Sequence, residues 1–282
     1  MEFKQIGVIG AGTMGNGIAQ VFAQAGFSVV MADVSDTAVE RGLASIGSSL
    51  ARLVKKGVQT EAGAGEVLAR IHGRTGLAAL GDCQLVIEAA TENATIKEQI
   101  FRELAGIVGA DCILASNTSS ISLTTIAAWV PQPQRVIGMH FMNPVPLMQL
   151  VEIIRALQTS DVTHAAIHAL SLQLGKTPVT VKDGAGFVSN RVLMPMINEA
   201  AFVLYENLAS AEDIDTVLKL GMNHPIGPLA LADMIGLDTC LSIMDILHRE
   251  FRDSKYRACP LLVQLVAAGH LGRKSGQGFY RY

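Results

Sequence analysis

From Gln5 to about Thr180 short apolar runs alternate with segments in which apolar residues recur every three or four positions, the β-α-β rhythm of a parallel sheet covered by helices on both faces. The predicted strands are Ile6–Gly10, Val29–Asp33, Leu85–Ala89, Cys112–Ser116, Val136–Phe141, Leu150–Ile154 and Thr177–Val181. A longer insert separates the second from the third. In it Val39, Leu43, Ile46, Leu50, Leu53 and Val54 form one face of an amphipathic helix, and a second helical piece, Glu66 to Ile71, is expected to return from it. After Lys182 the rhythm changes: Asp183-Gly184-Ala185-Gly186 leads into helical patterns only, broken at Gly221, Pro225, Gly227 and Pro228. This predicts a Rossmann-like α/β domain, mostly parallel with an inserted helical hairpin, over residues 1–184 and an all-α domain over 185–282. Ser210-Ala211-Glu212-Asp213 reads as a helix start, with the serine as cap.

Composition narrows the function classes. With half of its 282 residues apolar, 17% charged and a net charge of −3, the chain can build a core and has no global attraction for nucleic acid or anionic membranes. Its most apolar stretch, Phe187 to Tyr205, contains Asn190, Arg191, Pro195, Asn198 and Glu199 and is therefore read as a buried helix, not a membrane span. Cys83, Cys112, Cys240 and Cys259 lie far apart without a C-x-x-C pair, which fits a reducing compartment and argues against a disulfide framework or a thiolate zinc site. Met1-Glu2-Phe3-Lys4 runs into the first strand without the basic start and apolar stretch of an export signal, so a cytoplasmic protein is expected.

Candidate chemistry gathers at predicted strand ends. Gly10-Ala11-Gly12-Thr13-Met14-Gly15 follows a strand and opens a helix, the context a dinucleotide fingerprint requires. The first glycine allows the tight turn, the second admits the pyrophosphate, the third lets helix and strand pack closely, and amides at the helix start face the phosphates. The next strand ends at Asp33, 21 residues after Gly12, where an acid accepts hydrogen bonds from ribose hydroxyls and repels a 2′-phosphate. NAD is thus expected over NADP. Ser116-Asn117-Thr118-Ser119-Ser120 leaves another strand end as a hydroxyl-rich turn, and His140 ends a further strand, with Glu152 on the strand that follows 12 residues on. That span can set a carboxylate beside the imidazole and fix its tautomer. Ser49, Arg52 and Lys56 share one helix face that can meet an anionic ligand, while Glu92 and Lys97 follow the strand ending near Ala89 on the cofactor edge. His164 and His168 have the spacing of a metal pair but no third ligand, and are read as an exposed helix face.

These motifs, with Gly186-Phe187-Val188-Ser189-Asn190-Arg191 and the closing Gly-Arg-Lys-Ser-Gly-Gln-Gly-Phe-Tyr, resemble in order and spacing the L-3-hydroxyacyl-CoA dehydrogenases over nearly the whole chain. Met142 stands where the family often has a second phenylalanine. The resemblance implies NAD-dependent, reversible oxidation of (S)-3-hydroxyacyl-CoA to 3-ketoacyl-CoA, with a short-chain substrate such as 3-hydroxybutyryl-CoA. It implies His140 as catalytic base, Glu152 as its partner, and Ser119 and Asn190 at the substrate's reacting oxygens. It also implies Asp33, Glu92, Lys97, Ser119, Asn143 and Lys274 around NAD, Ser49 and Lys56 on coenzyme A, and a homodimer formed through the helical domain. Three alternatives stand beside this reading: a 3-hydroxyadipyl-CoA dehydrogenase, a non-catalytic NAD-binding relative such as the lambda-crystallins, and acyl transfer by Ser119, which lacks a G-x-S-x-G elbow.

Overall fold

The computed structural model describes residues 2–282, and the chain divides into two compact units, Met1–Asp183 and Gly184–Tyr282. In the first unit eight strands form one sheet: β1 (Gln5–Ile9), β2 (Ser28–Asp33), β3 (Ile71–Thr75), β4 (Leu85–Glu88), β5 (Ile113–Ser116), β6 (Val136–Phe141), β7 (Leu150–Arg155) and β8 (Thr177–Lys182). Their order, β3-β2-β1-β4-β5-β6-β7-β8, reverses direction between β1 and β4. A crevice between neighbouring strands that continue in opposite directions is where open α/β sheets take their ligands. Ile6, Val8, Val29, Met31, Leu85, Ile87 and Ile113 are fully buried, as expected for strands covered on both faces.

The helices of this unit are α1 (Thr13–Gln24), α2 (Asp36–Lys55), α3 (Glu61–Ala69), α4 (Ala94–Ile107), α5 (Leu123–Ala127) and α6 (Asp161–Gln173). The side chains of Ser35, Thr60, Asn93, Ser122 and Ser160 each cap a helix N-terminus by accepting a backbone N–H.

Four expectations need correction. The returning helix of the insert is α3, which starts at Glu61 and stops at Ala69, and Ile71 opens a strand instead of closing the helix. That strand, β3, was missed because Ile71-His72-Gly73-Arg74-Thr75 buries only Ile71 and lies at the sheet edge, so it lacks the apolar run of an interior strand. Its Gly73 lets α2 approach closely, since a Cβ there would strike Val39. The sheet is mostly parallel as expected, and its antiparallel pair, β6 with β7, arises because a short loop without a helix joins them and only an antiparallel neighbour can be reached that way. His164 and His168 are half-buried on α6, not exposed, and the His164 Nε2 lies 2.8 Å from the Thr180 hydroxyl. Among the described residues no group of three His, Cys, Asp or Glu could hold a metal ion.

The fourth correction concerns the second unit, whose helices are α7 (Ser189–Tyr205), α8 (Ala211–Thr216), α9 (Pro228–Ile235), α10 (Leu237–Phe251) and α11 (Pro260–Ala267). The stretch Phe187 to Tyr205 is not buried all round: α7 hides Met194, Ile197 and Ala201 but leaves Val192 66% exposed. Among the described residues no helix is long and apolar enough to cross a membrane. Ser210 caps α8 by accepting the Asp213 amide, at 3.1 Å. Buried Asp215 accepts the amides of Leu229 and Ala230, while Asp233 accepts those of Phe279 and Tyr280, all at 2.9 Å. The closing glycine-rich motif is explained by this clasp: a Cβ at Gly272 or Gly278 would collide with Asp233.

Candidate active site

The glycines after β1 differ in what surrounds them. Gly10 has φ +96° and an added Cβ would lie 2.6 Å from the Ala89 carbonyl oxygen, so only glycine fits between the ends of β1 and β4. At Gly15 a Cβ would run into the Gly10 carbonyl, which forces the close approach of α1 to β1. Gly12 has nothing within 4 Å of its missing Cβ. The open direction lies where α1 begins, its first turn free of acidic side chains, so exposed amides and the positive end of the helix dipole face an anion there. Asp33, at the end of β2, accepts the Ala11 amide at 2.6 Å and the Val34 amide at 2.7 Å, which fixes its carboxylate beside this turn. A cradle closed at two glycines and open at the third fits a pyrophosphate, with Asp33 beside it for a ribose.

Beyond the reversal point a polar network spans the ends of β4 and β5. Glu88, the last residue of β4, is buried and accepts from Lys97, from the Ser116 hydroxyl at 2.8 Å and from the Ala90 amide at 2.9 Å. Lys97 on α4 is 1% exposed and also lies 3.9 Å from Glu92. Here Lys97 stands under the crevice, not on its open surface, because the Glu88 carboxylate compensates its charge inside the unit. Glu92 in turn accepts the Thr118 hydroxyl at 2.8 Å, the Ser119 amide at 2.6 Å and the Ser119 hydroxyl at 2.8 Å. Thr118 then accepts the Ser120 and Ile121 amides, so the serine-rich turn is braced from two sides. Ser119 keeps its hydroxyl oxygen as an acceptor while donating to Glu92.

His140 and Glu152 are directly opposite one another in the antiparallel β6–β7 ladder. Such neighbours project to the same face of the sheet, and here the His140 Nδ1 lies 2.8 Å from the Glu152 Oε2. Glu152 is buried and His140 nearly so, which shields the pair from bulk water. With Nδ1 engaged by a carboxylate, Nδ1 carries the proton in the neutral ring, which leaves the lone pair on Nε2.

Sequence reasoning did not single out Asn117. Its side-chain oxygen accepts the Phe141 amide at 2.8 Å, while its own amide donates to the Glu88 carbonyl at 2.8 Å. Asn117 therefore ties the serine turn to the strand that carries His140, where β5–β6 pairing has ended. Nothing local signals this; only the presence of an asparagine at a strand end could have suggested it.

The remaining predicted residues are dispersed. Ser49 is half-buried on α2 and Arg52 and Lys56 are exposed at the end of that helix, with Lys56 at its C-cap. Asn143 lies exposed in the loop after β6. In the second unit Asn190 sits half-buried in the first turn of α7, and Lys274 is paired with Asp238 at 2.6 Å. The cysteines are free and buried, and burial pushes the thiols of Cys83 up to about 11 and of Cys112 and Cys240 up to about 12, so none is a nucleophile near neutral pH.

Comparison with known proteins agrees with this chemistry. Residues 5–184 match the NAD binding domain of 3-hydroxyacyl-CoA dehydrogenase and residues 186–282 match its C-terminal domain. A probable 3-hydroxybutyryl-CoA dehydrogenase of Bacillus subtilis is 57% identical over 282 residues, covering 100% of this chain and 98% of that one. The 3-hydroxybutyryl-CoA dehydrogenase of Bradyrhizobium diazoefficiens is 53% identical over 279 residues, covering 99% and 95%. Among solved structures, (S)-3-hydroxybutyryl-CoA dehydrogenase from Ralstonia eutropha superposes with a TM-score of 0.97 at 59% identity, covering 100% of this chain and 99% of that one. Both domain models match, and the relatives align over nearly the whole chain: the chain belongs to the 3-hydroxyacyl-CoA dehydrogenase family and uses NAD.

Proposed function

We propose that this protein oxidises short-chain (S)-3-hydroxyacyl-CoA, 3-hydroxybutyryl-CoA foremost, to the 3-ketoacyl-CoA, and runs the reverse reaction equally by the same groups. The observation that carries the reading is the His140–Glu152 pair, an imidazole held at 2.8 Å by a buried carboxylate at a strand end of a dinucleotide-binding sheet. Relatives known as 3-hydroxybutyryl-CoA dehydrogenases, alike over nearly the whole chain, support the short acyl chain.

Bound NAD would supply the acceptor for the hydride that leaves the substrate's C3. Gly10, Gly12, Thr13, Met14 and Gly15 would hold its pyrophosphate through backbone amides, and Asp33 would accept from the adenosine ribose and exclude a 2′-phosphate. His140 takes the 3-hydroxyl proton at Nε2 during oxidation and returns it during reduction. Glu152 keeps the ring in the tautomer that makes this possible and balances the imidazolium that forms, as in the carboxylate-oriented imidazoles of hydrolases. Ser119, braced by Glu92, orients the substrate oxygen. Lys97 supports that turn from beneath through Glu88 and Glu92. Asn143, Asn190 and Lys274 enter this reading through the family resemblance, as do Ser49 and Lys56 on the coenzyme A, where Arg52 would add charge on the same helix end. The exposed apolar residues of α7 support pairing with a second copy of the chain, and four buried free thiols support a reducing, cytoplasmic location.

Following NADH absorbance with acetoacetyl-CoA tests the reading. Turnover is expected, faster with NADH than with NADPH and lost on His140→Gln. No turnover with any 3-ketoacyl-CoA, in protein that still binds NADH, would sink it in favour of a non-catalytic NAD-binding role.

A further inference from the structure

The loop that joins β6 to β7 carries no regular structure between Phe141 and Leu150, yet it has to keep both strands in register for His140 and Glu152 to meet. Pro144 and Pro146 supply no N–H, and within the loop the Leu147 and Met148 amides both donate to the single Pro144 carbonyl, at 3.0 Å. The Val145 and Met148 carbonyls are instead taken by one side chain that stands just before β8, the strand paired with β7. Lys176, between α6 and β8, donates from Nζ to both of them, at 2.7 Å each. The next amide along, that of Thr177, donates to the Gln149 carbonyl at 2.8 Å and closes the base of the loop.

Lys176 is only 8% exposed, and among the described residues no carboxylate pairs with it. Burial pushes its pKa below the ordinary lysine value, the mark of an ammonium held where charge is disfavoured. For stability alone this is a poor choice, since a buried cation facing neutral carbonyls is costly and a methionine fills similar volume without that cost. What a lysine adds is donors at the end of a long arm, able to gather two carbonyls of a segment that has no strand partner.

The gathered loop also reaches the nucleotide helix. Val145 is buried against Gly17 of α1, where an added Cβ would lie 2.9 Å from the valine Cβ and 3.6 Å from Pro146. The same short segment therefore touches α1, carries Asn143 and sets the spacing of the His140 and Glu152 strands. We propose that Lys176 is a positioning residue for the dehydrogenase reaction, a buried clamp that fixes the Asn143–Gln149 loop between the catalytic strand pair and the nucleotide-binding helix. Displacement of reacting groups by about 1 Å can lower a rate by about a hundredfold, so a loop freed of its clamp reduces turnover without any change in the residues that touch substrate.

This inference rests on the reading of His140 and Glu152 as a catalytic pair, and the two fail differently. If the unaltered protein shows no turnover of acetoacetyl-CoA, the catalytic reading falls and the role assigned to Lys176 falls with it. With turnover established, Lys176→Met, which keeps length and volume but has no donor, is compared with Lys176→Gln, which retains a shorter donor. Both are assayed well below their thermal midpoints, alongside NADH affinity from cofactor fluorescence and backbone hydrogen exchange of the loop. The expected result is kcat lower by about tenfold in Lys176→Met and less in Lys176→Gln, weaker NADH binding, and faster exchange confined to the loop. A lysine that only stabilised the fold would lower the midpoint while kcat and NADH affinity of the folded variant stayed within about twofold of the parent, and that result overturns the proposal. Should Lys176→Met fail to fold, Lys176→Gln is read against the parent by the same two criteria.

Discussion

Buried carboxylates serve the two units in different ways. In the second unit Asp215 and Asp233 accept mainly backbone amides: Leu229 and Ala230 for one, Phe279 and Tyr280 for the other, with the Tyr280 and Tyr282 hydroxyls added. Backbone amides do not change charge near neutral pH and do not move independently of the chain, so these acids work as clasps. In the first unit Glu152 faces an imidazole, and Glu88 faces an ammonium and a hydroxyl. Those partners can titrate, rotate or meet a ligand. Burial alone therefore does not mark chemistry; the kind of group that a buried acid is turned toward does.

The contrast breaks most sharply at the histidine pair. His140→Gln removes the proton acceptor and is expected to lower kcat by about 10²–10⁴-fold while NADH binding persists. Glu152→Gln keeps the shape but not the charge and should cost as much or less. Because the two act as one unit, the double variant should resemble His140→Gln alone. Multiplicative losses in that cycle would move Glu152 into the class of Asp233.

Asp233→Ala is the opposite case. It strands two part-buried amides at a cost of up to about 1–3 kcal/mol each, so a clear drop in the urea midpoint is expected with kcat of the folded protein nearly unchanged. Gly278→Ala should act in the same direction, since its Cβ would displace the Asp233 carboxylate. A large loss of kcat at full stability in either variant would show that the clasp takes part in catalysis.

Two exposed or half-exposed charges sharpen the ligand side. Asp33→Ser is expected to narrow the preference for NADH over NADPH by about tenfold or more, because like charge no longer meets the 2′-phosphate. Equal kcat/KM for both cofactors in the unaltered protein would remove that role. Lys56→Ala should raise KM for acetoacetyl-CoA by up to about tenfold, the range of a charge-assisted phosphate contact, and leave a truncated pantetheine thioester little affected. Equal losses on both substrates would place the lysine elsewhere.

The smallest expected effect is a pH dependence of stability from His164. Its pKa is lowered from 6.5 by burial, with Arg155 and His168 adding repulsion and Asp161 opposing them. As pH falls through 6.5 the unfolded chain takes up a proton before the folded one, so stability declines until the folded-state value is passed. His164→Gln should flatten the decline in unfolding midpoint between neutral and mildly acidic pH, and an unchanged slope would assign it to other groups.

Much of this molecule is legible in the chain alone, and the reason is locality. Gly15 reports a turn that the nearby Gly10 carbonyl enforces, Asp33 and His140 stand at strand ends that apolar runs announce, and Ser210 caps the helix it precedes. Each feature depends on residues a few positions away, where spacing and side-chain chemistry already decide the outcome. The polar edge strand Ile71–Thr75 escaped that logic because its pairing with β2 comes from across the sheet. Tertiary structure alone decided that Lys97 lies buried on Glu88, that Glu92 braces Ser119, that Asn117 anchors the strand of His140, and that Lys176 holds the loop before Glu152. Those contacts join residues 9 to 31 positions apart, and sheet order brings them together; no periodicity or motif records which polar groups then meet.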